Sequence, residues 1–256
     1  MIVKGSDPAR GVRQLTLDRP PVNALSPELF VELSDALESA VRDGARAIVI
    51  AGQPGMFSAG LDVPLLLELN REAMARFWES FFGVLAQIAR SPIPVGFAVT
   101  GHCPAGGTVL ALYGDYRIAA AGDFKLGLNE VQVGLPMPAL IFRAFRRLVG
   151  PGAAERLAVA GELVSPEEAF RIGLVDAVLL PDEVLPRAIE RGRRLASLPP
   201  QALGATRELA RADLVALFDD LRRESPATIN EVWFAEETQA AMRALVARLS
   251  AGAEKR

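Results

Sequence analysis

Apolar and polar positions alternate along this chain in two rhythms. Val12 to Leu17 (VRQLTL) follows a period of two, which predicts a half-buried strand. Asp18-Arg19-Pro20-Pro21 ends it, because consecutive prolines cannot continue the ladder. Ser26-Pro27-Glu28 then supplies a good N-cap and a first-position proline. Leu29, Leu33, Ala36, Leu37, Ala40 and Val41 follow at helical spacing, so one face of that helix should pack on a sheet. Ala47 to Ala51 and Val95 to Val99 are short, continuous apolar runs, the pattern of strands buried on both faces. Ala73 to Ala89 between them reads as a helix. Strands alternating with helices predict an α/β fold with buried parallel pairing.

The alternation continues downstream. Thr108 to Tyr113 reads as a short helix, with Tyr116 to Ala120 and Phe124 to Leu126 as strands. Ala139 to Val149 and Ala153 to Ala160 read as helices around Gly150-Pro151-Gly152. Ser165-Pro166-Glu167-Glu168 repeats the capped, proline-initiated start, and Leu174 to Leu179 reads as a late strand. From about Asp182 the pattern is helical, broken at Leu195 to Gln201 (LASLPPQ). That break divides a core, residues 1–196, from a helical C-terminal region, 197–256. The tail carries Leu214, Leu217, Phe218 and Leu221, then Ile229, Val232, Trp233 and Phe234, then Met242, Leu245, Val246 and Leu249. So much apolar surface should pack on the core or on another copy of the chain.

Composition narrows the function. The chain has 256 residues, half of them hydrophobic, with a net charge of −3. Basic and acidic residues are interleaved, which predicts no affinity for nucleic acid or for an anionic membrane. The short clusters Arg143 to Arg147 and Arg191 to Arg194 read as solvated helix faces. One Cys and one His forbid an internal disulfide and disfavour a Cys/His metal site. The first residues lack an apolar signal core, and no apolar run reaches the roughly 18 residues of a membrane span. A cytoplasmic, reducing compartment fits.

Candidate chemistry gathers between Gly101 and Glu130. Gly101, Gly106 and Gly107 follow a buried strand and open a helix, where glycine permits close backbone approach. The first N–H groups of a helix lack internal partners, so such a place receives an anion or a developing oxyanion. Gly101 and Gly106 have P-loop spacing, but Gly107 stands where the phosphate-binding Lys belongs. Cys103 beside His102 is a poor dyad, since neighbours in an extended segment point to opposite sides. Ser58, in FSAG, has no nucleophile elbow and no second His to activate it. Glu130 lies among Leu126, Leu128, Val131, Val133, Leu135 and Met137. A carboxylate in apolar surroundings has a raised pKa, which suits a base working near neutrality.

At these residues the sequence resembles the crotonase (enoyl-CoA hydratase/isomerase) family. LDRPPVNALS, RAIVIAG, FSAGLDV, GHCPAGG, GDYRIAA, LNEVQVGL and ERLAVAGELVSPEEAFRIGLVD come in family order from about Leu15 to Val178. The resemblance implies a spiral of ββα units, a helical C-terminal trimerisation region, and a homotrimer or dimer of trimers. It implies an acyl-CoA thioester as substrate, with no metal and no redox cofactor. The backbone N–H groups of Leu61 and Gly106 would form the oxyanion hole. Ser58, Ala59, Gly60 and Asp62 would line the CoA-binding turn, with Arg46 near the CoA moiety. Family hydratases use two glutamates; one matches Glu130, and Val109 occupies the place of the other. One base suffices to move the double bond of a 3-enoyl-CoA, and CPAGG and GLNE look most like the family's Δ3,Δ2-enoyl-CoA isomerases. A decarboxylase, a weak hydratase, or a non-catalytic scaffold for acyl-CoA or RNA are the alternatives.

Overall fold

A computed structural model describes residues 1–219 and 226–253. β1 (Val3–Ala9) and β2 (Val12–Leu17) form an antiparallel hairpin. α1 (Pro27–Arg42) starts where the Ser-Pro signal places it, with Ser26 Oγ accepting from the Leu29 N–H. Then come β3 (Ala47–Ala51), β4 (Gly55–Met56), α2 (Val63–Leu67) and α3 (Arg71–Arg90). β5 (Val95–Val99), β6 (Gly101–Pro104) and α4 (Gly106–Leu112) follow, then β7 (Tyr116–Ala120), β8 (Leu126–Gly127), a 3-10 turn (Glu130–Val133) and α5 (Ala139–Ala160). The chain continues through α6 (Pro166–Arg171), β9 (Ala177–Leu179), α7 (Pro181–Ala196), α8 (Pro200–Ala216), α9 (Pro226–Trp233) and α10 (Glu236–Ala253).

Three times in succession the chain lays down one strand in a large sheet, a short one in a small sheet, and then helix. The large sheet has the order β1-β2-β3-β5-β7-β9, all parallel beyond the first hairpin. The small one is parallel, β4-β6-β8. This is the spiral of ββα units that the resemblance implies. The small sheet was not readable as a pattern, because strands of two to four residues are too short to display a period. Gly101 is therefore a strand residue and not part of a turn. A Cβ there would collide with the Gly55 backbone across the β4–β6 pairing.

Other boundaries shift for local reasons. Phe124 and Lys125 precede β8 instead of joining it; the Phe124 N–H turns back to Gly122 O, and the Lys125 N–H donates to His102 Nδ1. The late strand shrinks to Ala177–Leu179, because the Leu174 and Val175 N–H groups turn back to Ala169 O and the Arg117 N–H is taken by the Asp176 carboxylate at 2.6 Å. α5 breaks at Gly150, whose φ of 76° and ψ of 167° lie outside the helix, as Gly-Pro-Gly predicts.

Helices α1 and α3 cover one face of the large sheet, with the Phe30 ring edge to face against Phe77 and Phe81. α7 covers the other, with Val184 and Ala188 against Val12, Val49, Ala98 and Ile118. The Tyr116 hydroxyl reaches across to Ala188 O at 2.7 Å. The C-terminal helices pack on the chain's own core. In α8, Arg207 grips Asp115 at 2.7 and 2.9 Å, and the buried Arg211 donates to the carbonyls of Tyr113, Gly114 and Ala89. In α9, Trp233 meets Trp78 edge to face, 6.1 Å apart. α10 crosses the 3-10 turn and α2. Leu221 lies outside the described residues. No helix among the described residues is long and apolar enough to cross a membrane.

Candidate active site

Each piece of the site is the segment that leaves one strand of the small sheet. β4 delivers Phe57 to Asp62, β6 delivers Ala105 and Gly106, and β8 delivers Asn129 and Glu130. Parallel pairing puts all three exits at one end of that sheet. Three loops remote in sequence therefore converge.

The first loop is fixed mostly by buried hydrogen bonds. Asn23 Nδ2 donates to Phe57 O at 3.1 Å. Ser58 Oγ donates to Asn23 O at 2.8 Å and accepts from the Gly60 N–H at 3.1 Å. Ser58 is fully buried and holds the turn together; it does not line the cavity described below. Ala59, tied by its N–H to Val22 O at 2.9 Å, does line it. Gly60 sits at φ +91°, where a side chain is strained. A parallel bridge joins Leu25 to Leu61: the Leu25 N–H donates to Gly60 O at 2.8 Å, and the Asp62 N–H donates to Leu25 O at 3.1 Å. Gly60 thus turns its carbonyl and Asp62 its N–H toward Leu25, and the Leu61 N–H between them points the other way. Asp62 pairs with Arg19 at 2.5 Å and caps α2 through the Leu65 N–H at 3.3 Å.

The second loop contains an unusual residue that is not a glycine. Ala105 has φ 47° and ψ −125°, a conformation costly for a residue with a Cβ. It is held by its N–H to Gly127 O at 2.8 Å. This twist starts α4 at Gly106, two residues before Thr108, and leaves the Gly106 N–H ahead of any intrahelical partner. Gly106 and Gly107 are small because Leu25 and Ser58 press against them. A Cβ at Gly60 would lie 3.1 Å from Ala105 Cβ and 3.4 Å from the Gly106 nitrogen, so the two loops abut. Thr108 ties β6 to β8, its hydroxyl donating to Cys103 O and accepting from the Gly127 N–H. Burial pushes the Cys103 thiol up to about 12. His102, on the other side of β6, packs against Phe124. The pair is no dyad.

Glu130 opens the 3-10 turn. Its Oε2 is sealed from solvent and meets no donor among the described residues. Burial pushes its carboxyl up to about 7, against a weaker opposing bond from its own backbone N–H. A cavity of about 350 Å³ lies beside it. Leu61, Asp62, Gly106, Val109, Asn129 and Glu130 line its working end; Trp78, Phe81, Ile141, Met242 and Leu245 form its apolar walls. Asp62 is already paired, so Glu130 is the one carboxylate on the cavity, among the described residues, that no other residue engages. Val109, 1 % exposed, adds a methyl-lined surface. Arg46 does not line the cavity; its guanidinium donates to Leu198 O at 2.7 Å, between α7 and α8.

Residues 7–247 match the model of the enoyl-CoA hydratase/isomerase family. The chain belongs to that family. As a family member it is 33 % identical to human mitochondrial enoyl-CoA delta isomerase 1 over 208 residues, 80 % of this chain and 69 % of that one. It is also 32 % identical to a probable enoyl-CoA hydratase of Mycobacterium bovis over 227 residues, 84 % of this chain and 85 % of the other. The crystal structure of human mitochondrial delta3-delta2-enoyl-CoA isomerase superposes with a TM-score of 0.93, covering 98 % of this chain and 99 % of that one at 28 % identity. Family membership makes this an enzyme of the enoyl-CoA hydratase/isomerase class with the crotonase fold.

Several residues that build the site were not singled out from the sequence. Asn23 adopts φ 50°, and an Asn after two prolines is a readable cue for that region. Ala105 and Thr108 carry no such cue. Asn129 lines the cavity beside Glu130, and α10 supplies part of its wall.

Proposed function

We propose that this enzyme shifts the double bond of a 3-enoyl-CoA to give the trans-2-enoyl-CoA. The single observation that carries the reading is Glu130: on an apolar cavity that Val109 also lines, it is the one carboxylate among the described residues that no other residue engages. In this reading the thioester carbonyl sits between the N–H groups of Leu61 and Gly106. Glu130 takes the C2 proton as the C2–H bond breaks. The electrons form a dienolate, whose negative oxygen the two N–H groups stabilise. The protonated Glu130 then delivers the same proton to C4, and the C2–C3 bond becomes the double bond. Atoms and charge balance with no water and no redox partner. A carboxyl titrating near 7 is matched to accepting and returning a proton near neutrality. Ala59 and Asp62 would border the pantetheine path, with Ser58 and Gly60 shaping that turn from within.

A second reading is hydration of a 2-enoyl-CoA. It draws on Asn129, which lines the cavity beside Glu130 and whose amide makes no cap on the 3-10 turn. The test is incubation with 3-hexenoyl-CoA in deuterated buffer, followed by ultraviolet absorbance and mass spectrometry. Isomerisation yields a conjugated product with no added water. No conjugated product from 3-hexenoyl-CoA, with trans-2-hexenoyl-CoA gaining one water under the same conditions, overturns the first reading in favour of the second.

A further inference from the structure

The Glu130 carboxylate has no hydrogen-bond partner for its Oε2, so no neighbouring side chain aims it from that side. Its aim comes from the backbone it stands on. That backbone is a single 3-10 turn without a side-chain N-cap. An isolated turn of this kind has little stability of its own. It closes at Gly134, left-handed at φ 74°, with the Gly134 N–H returning to Val131 O at 3.2 Å and the Leu135 N–H to Glu130 O at 3.0 Å.

Something outside must hold this turn: the end of α5 touches its Val131 and Gln132 side, and α10 grips the residue that closes it. Thr238 Oγ1 donates to Gly134 O at 2.7 Å. Thr238 is 3 % exposed, so water does not compete for that bond. A Cβ placed at Gly134 would lie 3.0 Å from Ala241 Cβ and 3.3 Å from Thr238 Cα, so helix and turn are in direct contact. Four residues after Thr238, Met242 enters the cavity wall, and Leu245 follows one turn later. The helix that grips the catalytic turn also touches the space for the acyl chain.

We propose that Thr238 is a positioning residue: by anchoring Gly134 to α10 it fixes the turn from which Glu130 reaches the substrate. This rests on the reading of Glu130 as the proton carrier. α9 is docked through Trp233 against Trp78 and Asn230 Nδ2 on Arg71 O at 3.1 Å, and α10 is tied to it by Gln239 Nε2 on Trp233 O at 2.9 Å while also resting on α2. Removing one hydroxyl therefore leaves the helix docked.

The test compares Thr238→Val, nearly isosteric, with Thr238→Ser, which keeps the hydroxyl. For Thr238→Val the turnover of 3-hexenoyl-CoA should fall about five- to tenfold with KM within about twofold, the equivalent of one buried hydrogen bond. Hydrogen exchange without substrate should show protection at Gly134 and Leu135 falling by a similar factor, while α10 beyond Met242 stays protected. Thr238→Ser should restore both. An unchanged kcat in Thr238→Val overturns the proposal, whether protection is lost or kept. So does a raised KM with kcat intact, which would make α10 a pocket wall only. Exchange is read without turnover, and Glu130→Gln separately tests the proton carrier. Wild-type turnover in Glu130→Gln would sink the parent reading while leaving the exchange result to stand or fall by itself.

Discussion

Glu130→Gln keeps the size of the side chain and removes its charge, and its effect on stability can be worked out from burial alone. The folded protein holds the Glu130 carboxyl at about 7, against an ordinary value of 4.5. Between those two pH values the folded chain keeps a proton that the unfolded chain has released. Fewer protons on the unfolded chain mean that stability falls as pH rises, by about 1.4 kcal/mol per pH unit. Across the window from 4.5 to about 7 the loss sums to roughly 3 kcal/mol, absent below the window and complete above it. Glutamine never ionises and escapes this loss. Urea unfolding followed by far-ultraviolet circular dichroism, on both proteins at pH 4.5 and pH 8, measures it. The variant should gain roughly 3 kcal/mol on the wild type between the two conditions. Its turnover should drop by about 10²- to 10⁴-fold. A stability difference that is the same at both pH values would refute the burial of an unsatisfied carboxylate, whatever the activity showed.

Two other substitutions probe the neighbouring loops. Val109→Glu places a second carboxylate on the cavity; hydration of 2-hexenoyl-CoA, read as a gain of one water by mass, should rise about tenfold or more. The same change should destabilise the fold by about 2 kcal/mol, because the site is almost fully enclosed; no gain in hydration would mean that Val109 does not face the reacting carbons. Ala105→Gly should stabilise the protein by about 1 kcal/mol in urea unfolding, since glycine accepts φ 47° without strain. A destabilised Ala105→Gly would show that the Ala105 methyl, packed near Gly60, contributes more than its backbone strain takes away.

The sequence disclosed this molecule unevenly, for physical reasons. β3, β5 and β7 were legible to the residue, because five consecutive buried positions leave an uninterrupted apolar run. Ser26-Pro27 and Ser165-Pro166 marked helix starts, because capping is a local interaction written in adjacent residues. The small sheet was nearly invisible, touched only where the strand expected at Phe124 to Leu126 meets β8 at Leu126, since its strands are held by pairing between distant segments. Glu130 stood out because a carboxylate among apolar neighbours is an anomaly within one short stretch. The roles of Thr108 and Thr238 could not be seen there. Each is an ordinary threonine whose partner, Cys103 and Gly127 for one and Gly134 for the other, is chosen by the fold. The tail's apolar stripe was plain, and its destination on the chain's own cavity was not, because an amphipathic helix does not say which surface it will meet.

The Leu61 and Gly106 amides belong to the main chain, and every residue except proline carries one. Mutation can exchange the side chains at those positions without deleting the N–H groups, as long as the loops keep their paths. Glu130, Val109 and Asn129, by contrast, are each a single codon away from a different chemistry. The molecule is thus divided into a part that genetic drift can scarcely reach and a part that it can rewrite in one step. If those two amides hold the thioester carbonyl as proposed, such a division lets new reactions be tried on an unchanged grip. Overall likeness between two such chains would then record shared ancestry of their main-chain paths and say little about which bond each one moves.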